Sequence, residues 1–152
     1  MGADMNIEIK TFDELTLQEL YAVIKARIQV FVVEQNCPYM ECDDLDQMAY
    51  HCFIQSSGNV VAYARVIPPG YKFQEASMGR LLTIERVRGT GLGLELMEQV
   101  MSFMCRQKNW QEIRIEAQKY LESFYKKFHF RTVSDTFILD GIEHIEMLYQ
   151  KG

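Results

Sequence analysis

A glycine-rich segment in the middle of the chain, residues 88–93, constrains the fold more than any other feature of the sequence. It follows an apolar strand-like run, residues 78–84, and opens a stretch whose apolar side chains recur at helical spacing. The first turn of a helix carries unpaired N–H donors and the positive end of the helix dipole. Glycines allow an anion to approach that backbone closely. The sequence therefore predicts a phosphate site where this strand passes into the helix.

Three kinds of glycine-rich phosphate loop can be compared with this segment. A P-loop requires Gly-Lys followed by Ser or Thr, which is absent here. A dinucleotide-binding loop requires a third glycine where this chain has Leu94, and it belongs to a first β-α unit. The pattern Arg/Gln-x-x-Gly-x-Gly/Ala fits in full. The segment reads Arg88, Gly89, Thr90, Gly91, Leu92 and Gly93.

Length and composition limit the class of protein. The 152 residues fit one domain, 1–152, in which residues 1–4 read as a leader before a natural start at Met5. A net charge of −5 argues against a nucleic-acid binder, which would show a basic face. No apolar run approaches the ~20 residues that would span a membrane. The four cysteines lack metal-ligand spacing, so we expect no metal and a reduced, cytoplasmic protein.

Hydrophobic periodicity predicts an α+β fold of the order β-α-β-β-β-α-β-α-β-β. The first helix starts at the capping-box pattern Thr16-x-x-Glu19 and reaches about Val32. An acidic loop then spans residues 34–50, and Asp140-Gly141 predicts the final turn. The expected strands are 6–10, 51–55, 60–67, 78–84, 112–116, 130–139 and 142–149, and the later helices are 92–104 and 121–128.

Several short blocks, in order along nearly the whole chain, resemble one family. They comprise residues 30–39, 43–51, 62–65, 79–80, the glycine loop, 124–125 and 140–145. Together they resemble the ElaA-type branch of the GNAT superfamily of N-acetyltransferases. The resemblance implies a mixed, mostly antiparallel central sheet flanked by helices in three layers. It also implies acetyl transfer from acetyl-CoA to a primary amine of a small molecule or peptide.

The resemblance assigns coenzyme contacts residue by residue. The loop would hold the pyrophosphate of coenzyme A, and the backbone of the preceding strand, which splays from its neighbour, would pair with the pantetheine arm. Surface charges at Arg86, Lys126 and Lys127 are weaker candidates for the phosphates. The expected coenzyme contacts outside the loop are Leu81, Leu82, Thr83, Gln118 and Phe124.

Thioester aminolysis needs a neutral amine, a stabilised oxyanion and a proton for the departing thiolate. By resemblance, Tyr125 is the general acid; the alternative is one more core aromatic in a helical stripe. Here His129 stands where the family motif has glycine. The general base stays open between Glu34 and His144. Weaker candidates for the base are Glu41, Asp43 and His51.

Other interpretations compete with this one. The acidic run 41–46 either attracts a cationic acceptor or is a solvated loop. A nucleophilic pair of Cys37 or Cys42 with His51 is disfavoured against structural roles. An acyl-homoserine-lactone synthase and a non-catalytic coenzyme-A-binding module are the alternative functions. The resemblance also allows a homodimer, and we expect neither nucleic acid nor membrane as a partner.

Overall fold

The structure, a computed structural model, describes residues 6–152. The expected leader at residues 1–4 and the expected start at Met5 lie outside this range. Two four-stranded sheets and three α-helices make up the described chain. The strands are β1 Ile7–Thr11, β2 Tyr50–Ser56, β3 Asn59–Ile67, β4 Ser77–Thr83, β5 Glu112–Gln118, β6 Arg131–Thr132, β7 Phe137–Leu139 and β8 Ile142–Gln150, and the α-helices are α1 Leu17–Arg27, α2 Leu92–Ser102 and α3 Glu122–Lys126.

The first sheet is antiparallel in the order β1-β2-β3-β4, and both of its faces are buried. Alternate side chains of a strand point to opposite faces. On one face Phe53 and Tyr63 pack against Val23 of α1, whereas on the other Ile54 packs in the cluster that contains Leu96 of α2. The helix–sheet–helix layering and the α+β class expected from the sequence are confirmed.

Helix α1 begins as the capping box predicts. The Thr16 hydroxyl accepts from the Glu19 N–H at 3.0 Å, and the Glu19 carboxylate accepts from the Thr16 N–H at 2.9 Å. The helix continues beyond Arg27 with π-type hydrogen bonding over Ile28–Glu34. The helical segment therefore ends at Glu34, two residues beyond the expected Val32. This extension brings Glu34 and Gln35 close to the second sheet.

The second sheet pairs β8 with β5, β6 and β7. The single strand expected over residues 130–139 is wrong, since the structure divides it into β6 and β7. The Ser134 hydroxyl accepts the Glu146 N–H at 2.8 Å and takes the place of a backbone carbonyl in the ladder. A short polar side chain that competes with backbone hydrogen bonds in this way interrupts a strand.

Among the described residues, backbone pairing joins the two sheets at neighbouring ends of β4 and β5. One parallel bridge joins Ala76 to Ile113, and the Arg114 N–H donates to the Ala76 carbonyl at 2.8 Å. Beyond this point the two strands belong to different sheets. The splayed strand that the sequence led us to expect is therefore present, with the edge of β4 free to face a ligand. None of the helices in residues 6–152 is long and apolar enough to cross a membrane.

Candidate active site

A cleft of about 560 Å³ opens where β4 and β5 separate. That volume lies in the range of small-molecule sites, roughly 300–1,000 Å³. One wall carries Leu81, Leu82 and Thr83 of β4, and the other carries Glu116 and Gln118 of β5. The end of the first helical segment and the β7–β8 hairpin complete the lining. An edge strand beside such a space can pair with an extended ligand through its backbone.

The glycine loop lies at the mouth of this cleft, where β4 leads into α2. Gly91 is the N-cap of α2, with φ of +86°, and no side chain caps the helix. The ladder starts with the Glu95 N–H, which donates to the Gly91 carbonyl at 3.0 Å. In α1 the Thr16–Glu19 capping box occupies donors of the first turn. The first turn of α2 therefore presents unpaired N–H groups that suit an anion.

All three glycines of the loop have a role in its geometry. Gly89, like Gly91, has a positive φ, +83°, which side-chain-bearing residues rarely adopt. Gly93 lies against β4, where an added Cβ would stand 3.3 Å from Thr83 Cγ2. Gly93 lines the cleft, and the rest of the turn lies at its exposed mouth. The loop thus follows the backbone path that close packing of strand, helix and ligand requires.

The Arg88 side chain lies across the cleft instead of extending toward the first turn of α2. Its Nη2 donates to Glu34 Oε1 at 2.7 Å, and its Nε donates to the Thr83 carbonyl at 3.0 Å. The ion pair is partly exposed. An incoming pyrophosphate would therefore compete with Glu34 for Arg88, and the two sequence candidates are coupled to each other.

Gln118 joins the β5 wall to the end of the first helical segment. Its Nε2 donates to Gln35 Oε1 at 3.2 Å. Phe124 of α3 also lines the cleft and contacts Tyr125 edge to face, with ring centroids 5.3 Å apart. The cleft-lining places of Gln118 and Phe124 agree with coenzyme contact, which stays a prediction for both residues.

Tyr125 lines the cleft from α3 and is 5% exposed. Its ring also packs edge to face on Phe130. Burial raises the pKa of the Tyr125 phenol well above its ordinary value. The group is therefore a neutral O–H donor at physiological pH. Tyr125 is thus a core aromatic, as one interpretation expected, that also borders the cleft, and its role as the general acid stays a prediction.

His144 lines the cleft from β8 and is also buried. Its Nδ1 lies 2.7 Å from the Ile142 carbonyl, which can only accept a hydrogen bond. The proton of the neutral ring therefore belongs to Nδ1, and Nε2 keeps a lone pair. Phe137 stacks on the imidazole with ring centroids 6.0 Å apart and helps to hold its orientation. His144 is thus set up to accept a proton at Nε2.

Three weaker candidates for the base lie outside the cleft lining, in a buried network. His51 donates from Nε2 to the Asp46 carbonyl at 2.9 Å and accepts at Nδ1 from the Tyr63 hydroxyl at 2.7 Å. Both ring nitrogens are occupied, and burial lowers the pKa of His51. Glu41 and Asp43 are held by arginines. None of the three is placed to receive a proton from a substrate in the cleft.

Three of the four carboxylates in the acidic run 41–46 are paired with arginines. Glu41 accepts from Arg27 and from Arg80, both at 2.7 Å, and Arg65 holds Asp43 at 2.8 Å. Asp46 accepts from Arg27 at 2.8 Å and from Arg65 at 2.9 Å. Burial alone would raise the pKa of Asp46, but its hydrogen bonds to the two arginines lower it. For Glu41, Asp43 and Asp46 both interpretations of the run are therefore wrong, because arginines neutralise these three carboxylates within the fold. Asp44 is exposed.

The cysteines do not form the disfavoured nucleophilic pair with His51. Cys37 is buried and donates to the Asp140 carbonyl at 3.2 Å, whereas Cys42 is exposed. Within residues 6–152 no group of three or more metal-binding side chains is placed to hold a metal ion.

Arg80, Tyr39 and Asp140 line the cleft although sequence reasoning gave them no individual role. The β3–β4 register slips between Tyr63 and Arg65, so that β4 bulges at Arg80, whose φ is +51°. The Arg80 guanidinium lies over the Tyr39 ring, 5.6 Å from its centroid. All three residues fall in the blocks that carried the family resemblance, which was the only sequence feature that could have indicated them.

Comparison with known proteins places the chain in one family. The family model described as acetyltransferase (GNAT) domain matches residues 10–151. The ElaA protein of Escherichia coli is 35% identical over 136 residues, which cover 88% of this chain and 89% of that protein. The resemblance found from the sequence blocks is therefore confirmed.

Solved structures give the same result. The crystal structure of an acyl-CoA N-acyltransferase from Pseudomonas aeruginosa superposes with a TM-score of 0.90 at 34% identity, and covers 95% of this chain and 99% of that one. An acyl-homoserine lactone synthase, BjaI, solved with SAM and isopentyl-CoA, has a TM-score of 0.79 at 14% identity, over 97% of this chain and 84% of that one. At such low identity this second similarity concerns the fold alone.

Proposed function

Since the chain belongs to the GNAT family of acetyltransferases, we propose that it transfers the acetyl group of acetyl-CoA directly to a primary amine. The observation that carries this proposal is the uncapped first turn of α2 at the mouth of a cleft that also contains Tyr125 and His144. N–H donors suited to a phosphate, a phenol that can donate a proton and an imidazole that can accept one thus border the same cleft. The proposal includes a reduced, cytoplasmic setting and leaves room for a homodimer.

In this proposal the coenzyme lies along β4. The N–H groups at residues 91–94 would bind the pyrophosphate, and Arg88 would turn from Glu34 toward it. The edge backbone of Leu81–Thr83 would pair with the pantetheine amides. Gln118 and Phe124 would contact the coenzyme from the opposite side of the cleft.

The transfer needs no covalent enzyme intermediate. The amine nitrogen attacks the thioester carbon, a C–N bond forms, and the C–S bond then breaks. His144 Nε2 takes a proton from the nitrogen, and the Tyr125 hydroxyl gives a proton to the departing thiolate. The proton held by His144 then returns to the Tyr125 phenolate through water. The products are an N-acetyl amide and free coenzyme A.

His144 is the better candidate for the base in this account. Its tautomer leaves Nε2 free to accept whether or not the coenzyme is bound, whereas the Glu34 carboxylate is paired with Arg88 at 2.7 Å until the coenzyme takes Arg88 from it. We assign Glu34 a different role: it pairs with Arg88 until coenzyme binding, when Arg88 turns to the pyrophosphate.

An amine panel tests the proposed function. The protein would be incubated with acetyl-CoA and aliphatic amines, aromatic amines, diamines, amino acids or lysine peptides. Release of free thiol would be followed together with the mass of the acetylated product. We expect thiol release that depends on an amine, with equal amounts of amide. Binding of acetyl-CoA by calorimetry without transfer to any amine would favour a coenzyme-binding module instead.

A further inference from the structure

The charged groups along the cleft indicate which amines fit it. The cations that line it within residues 6–152 are Arg80 and Arg88, and the lining carboxylates are Glu34, Glu116 and Asp140. A site for an amino acid or another acceptor with a carboxylate would need a cation able to pair with it. The availability of the two arginines therefore decides the class of acceptor.

Both arginines are already paired with carboxylates of the protein. Arg80 Nε donates to Glu41 at 2.7 Å, and Glu41 is 4% exposed. Removing Arg80 would leave that buried carboxylate with Arg27 alone, which is strongly unfavourable. Arg80 belongs to a balanced cluster in which three arginines face three carboxylates. Its members are Arg27, Arg65, Arg80, Glu41, Asp43 and Asp46.

Arg88 is committed in both states of the site. Without coenzyme it pairs with Glu34, and in the proposed complex it turns to the pyrophosphate. When it turns, Glu34 loses its partner and the acceptor side becomes more negative. Glu116 is paired with Lys72 at 2.9 Å, whereas the exposed Asp140 has no ion-pair partner among the described residues.

The wall beside Asp140 is apolar and aromatic. Leu139 and Ile142 flank the turn of the β7–β8 hairpin, and Phe31 and Tyr39 line the cleft from the helix end and the following loop. The hydrogen bond from Cys37 to the Asp140 carbonyl ties that loop to the hairpin turn. These apolar and aromatic residues and the Asp140 carboxylate therefore line the same cleft, which suits an uncharged body that carries a cationic group.

We propose that the acceptor is a primary amine with an apolar or aromatic body and no carboxylate. Asp140 attracts its ammonium form and the apolar wall holds its body. The ammonium releases one proton to solvent water before attack, and His144 takes the second proton from the nitrogen as the neutral amine attacks. This inference rests on the proposed function and narrows it from any primary amine to one chemical class.

Three probes that differ at one substituent test the inference. Phenethylamine has no substituent beside the amine, phenylalanine has a carboxylate there, and phenylalaninol has a neutral hydroxymethyl group of similar size. With saturating acetyl-CoA we expect kcat/KM for phenethylamine and phenylalaninol to exceed that for phenylalanine by about tenfold or more. Phenylalaninol separates the effect of charge from that of bulk.

A pair of variants tests the role of Asp140. Asn tolerates the left-handed backbone at this position, where φ is +53°. Asp140→Asn should raise KM for phenethylamine about threefold, as expected for an exposed charge, and leave KM for acetyl-CoA unchanged. Glu143→Gln is the matched control, because Glu143 lies exposed on the same hairpin and outside the cleft lining.

The outcomes separate the two proposals. Acetylation of phenylalanine as fast as phenethylamine, or of diamines and lysine peptides alone, would overturn the inference and leave acetyl transfer standing. Equal KM values for Asp140→Asn and the unsubstituted protein would remove Asp140 from acceptor binding. Failure to acetylate any amine in the panel would overturn the proposed function and the inference with it.

Discussion

At the scale of single residues, Tyr125 and His144 line the same cleft and have opposite proposed tasks: one donates a proton and the other accepts one. Burial keeps the Tyr125 phenol protonated, and the Ile142 carbonyl fixes the His144 tautomer that leaves Nε2 free. An acid and a base held apart in this way suit a reaction that moves one proton from nitrogen and another to sulfur.

Tyr125→Phe should lower kcat about 100-fold while the Kd for acetyl-CoA stays unchanged. The substitution removes the proton donor and keeps the ring that packs on Phe124 and Phe130. Tyr50→Phe is the control, since Tyr50 packs on Phe103 with ring centroids 5.1 Å apart and lies outside the cleft lining. With an amine for which chemistry limits the rate, an unchanged kcat in Tyr125→Phe would remove its role as the acid.

Sequence reasoning identified both residues but could not choose between His144 and Glu34 for the base. The choice depends on contacts between distant segments. Glu34 pairs with Arg88, 54 residues away along the chain. No pattern of neighbouring residues predicts such a pair, whereas the glycine loop was predictable because its whole pattern lies within six consecutive residues.

At the scale of elements, the strand–loop–helix unit of β4 and α2 is the proposed binding site of the acetyl donor. Its helix lacks the side-chain cap that α1 has, and this difference is readable from the sequence as Thr16-x-x-Glu19 against Gly91. The divided strand at residues 133–136 was not readable, because the interruption depends on Ser134 meeting the Glu146 N–H across the sheet.

Gly91→Glu should abolish detectable binding of acetyl-CoA in calorimetry. The new side chain places bulk and negative charge where the pyrophosphate would meet the first turn of α2. Gly58→Glu controls for backbone strain: Gly58 lies in the β2–β3 turn with φ of +79°, close to the +86° of Gly91, and neither added Cβ meets an atom within 4 Å. Loss of binding in both variants, or in neither, would contradict the assignment of the loop.

At the scale of the whole molecule, an ion cluster joins α1, β3 and β4 to the loop that precedes β2. Arg27 of α1 and Arg65 of β3 hold the loop that contains Glu41 and Asp46, and Arg80 of β4 joins the same loop. From the sequence this loop appeared solvated, since its partners lie 14 to 39 residues away. Burial of four charged groups, Arg27, Arg65, Glu41 and Asp46, is tolerated because each is paired, and the partly exposed Arg80 and Asp43 complete the cluster.

Arg27→Met should lower the free energy of unfolding by about 3 kcal/mol, because it leaves buried carboxylates with fewer partners. Urea denaturation measures the change. Lys126→Met is the control, since Lys126 is mostly exposed and lies 3.7 Å from Glu122 in a surface pair, which contributes at most about 1 kcal/mol. An equal free energy of unfolding for the two variants would mean that the ion cluster does not stabilise the fold around the cleft.

The central claim is that acetyl-CoA and the amine occupy one cleft together and that the acetyl group passes directly between them. Initial rates measured at several fixed concentrations of the fastest amine, with acetyl-CoA varied, test it most directly. Direct transfer predicts double-reciprocal lines that intersect, since both substrates are bound before any product leaves. Parallel lines, the pattern of a covalent acyl-enzyme, would contradict the account.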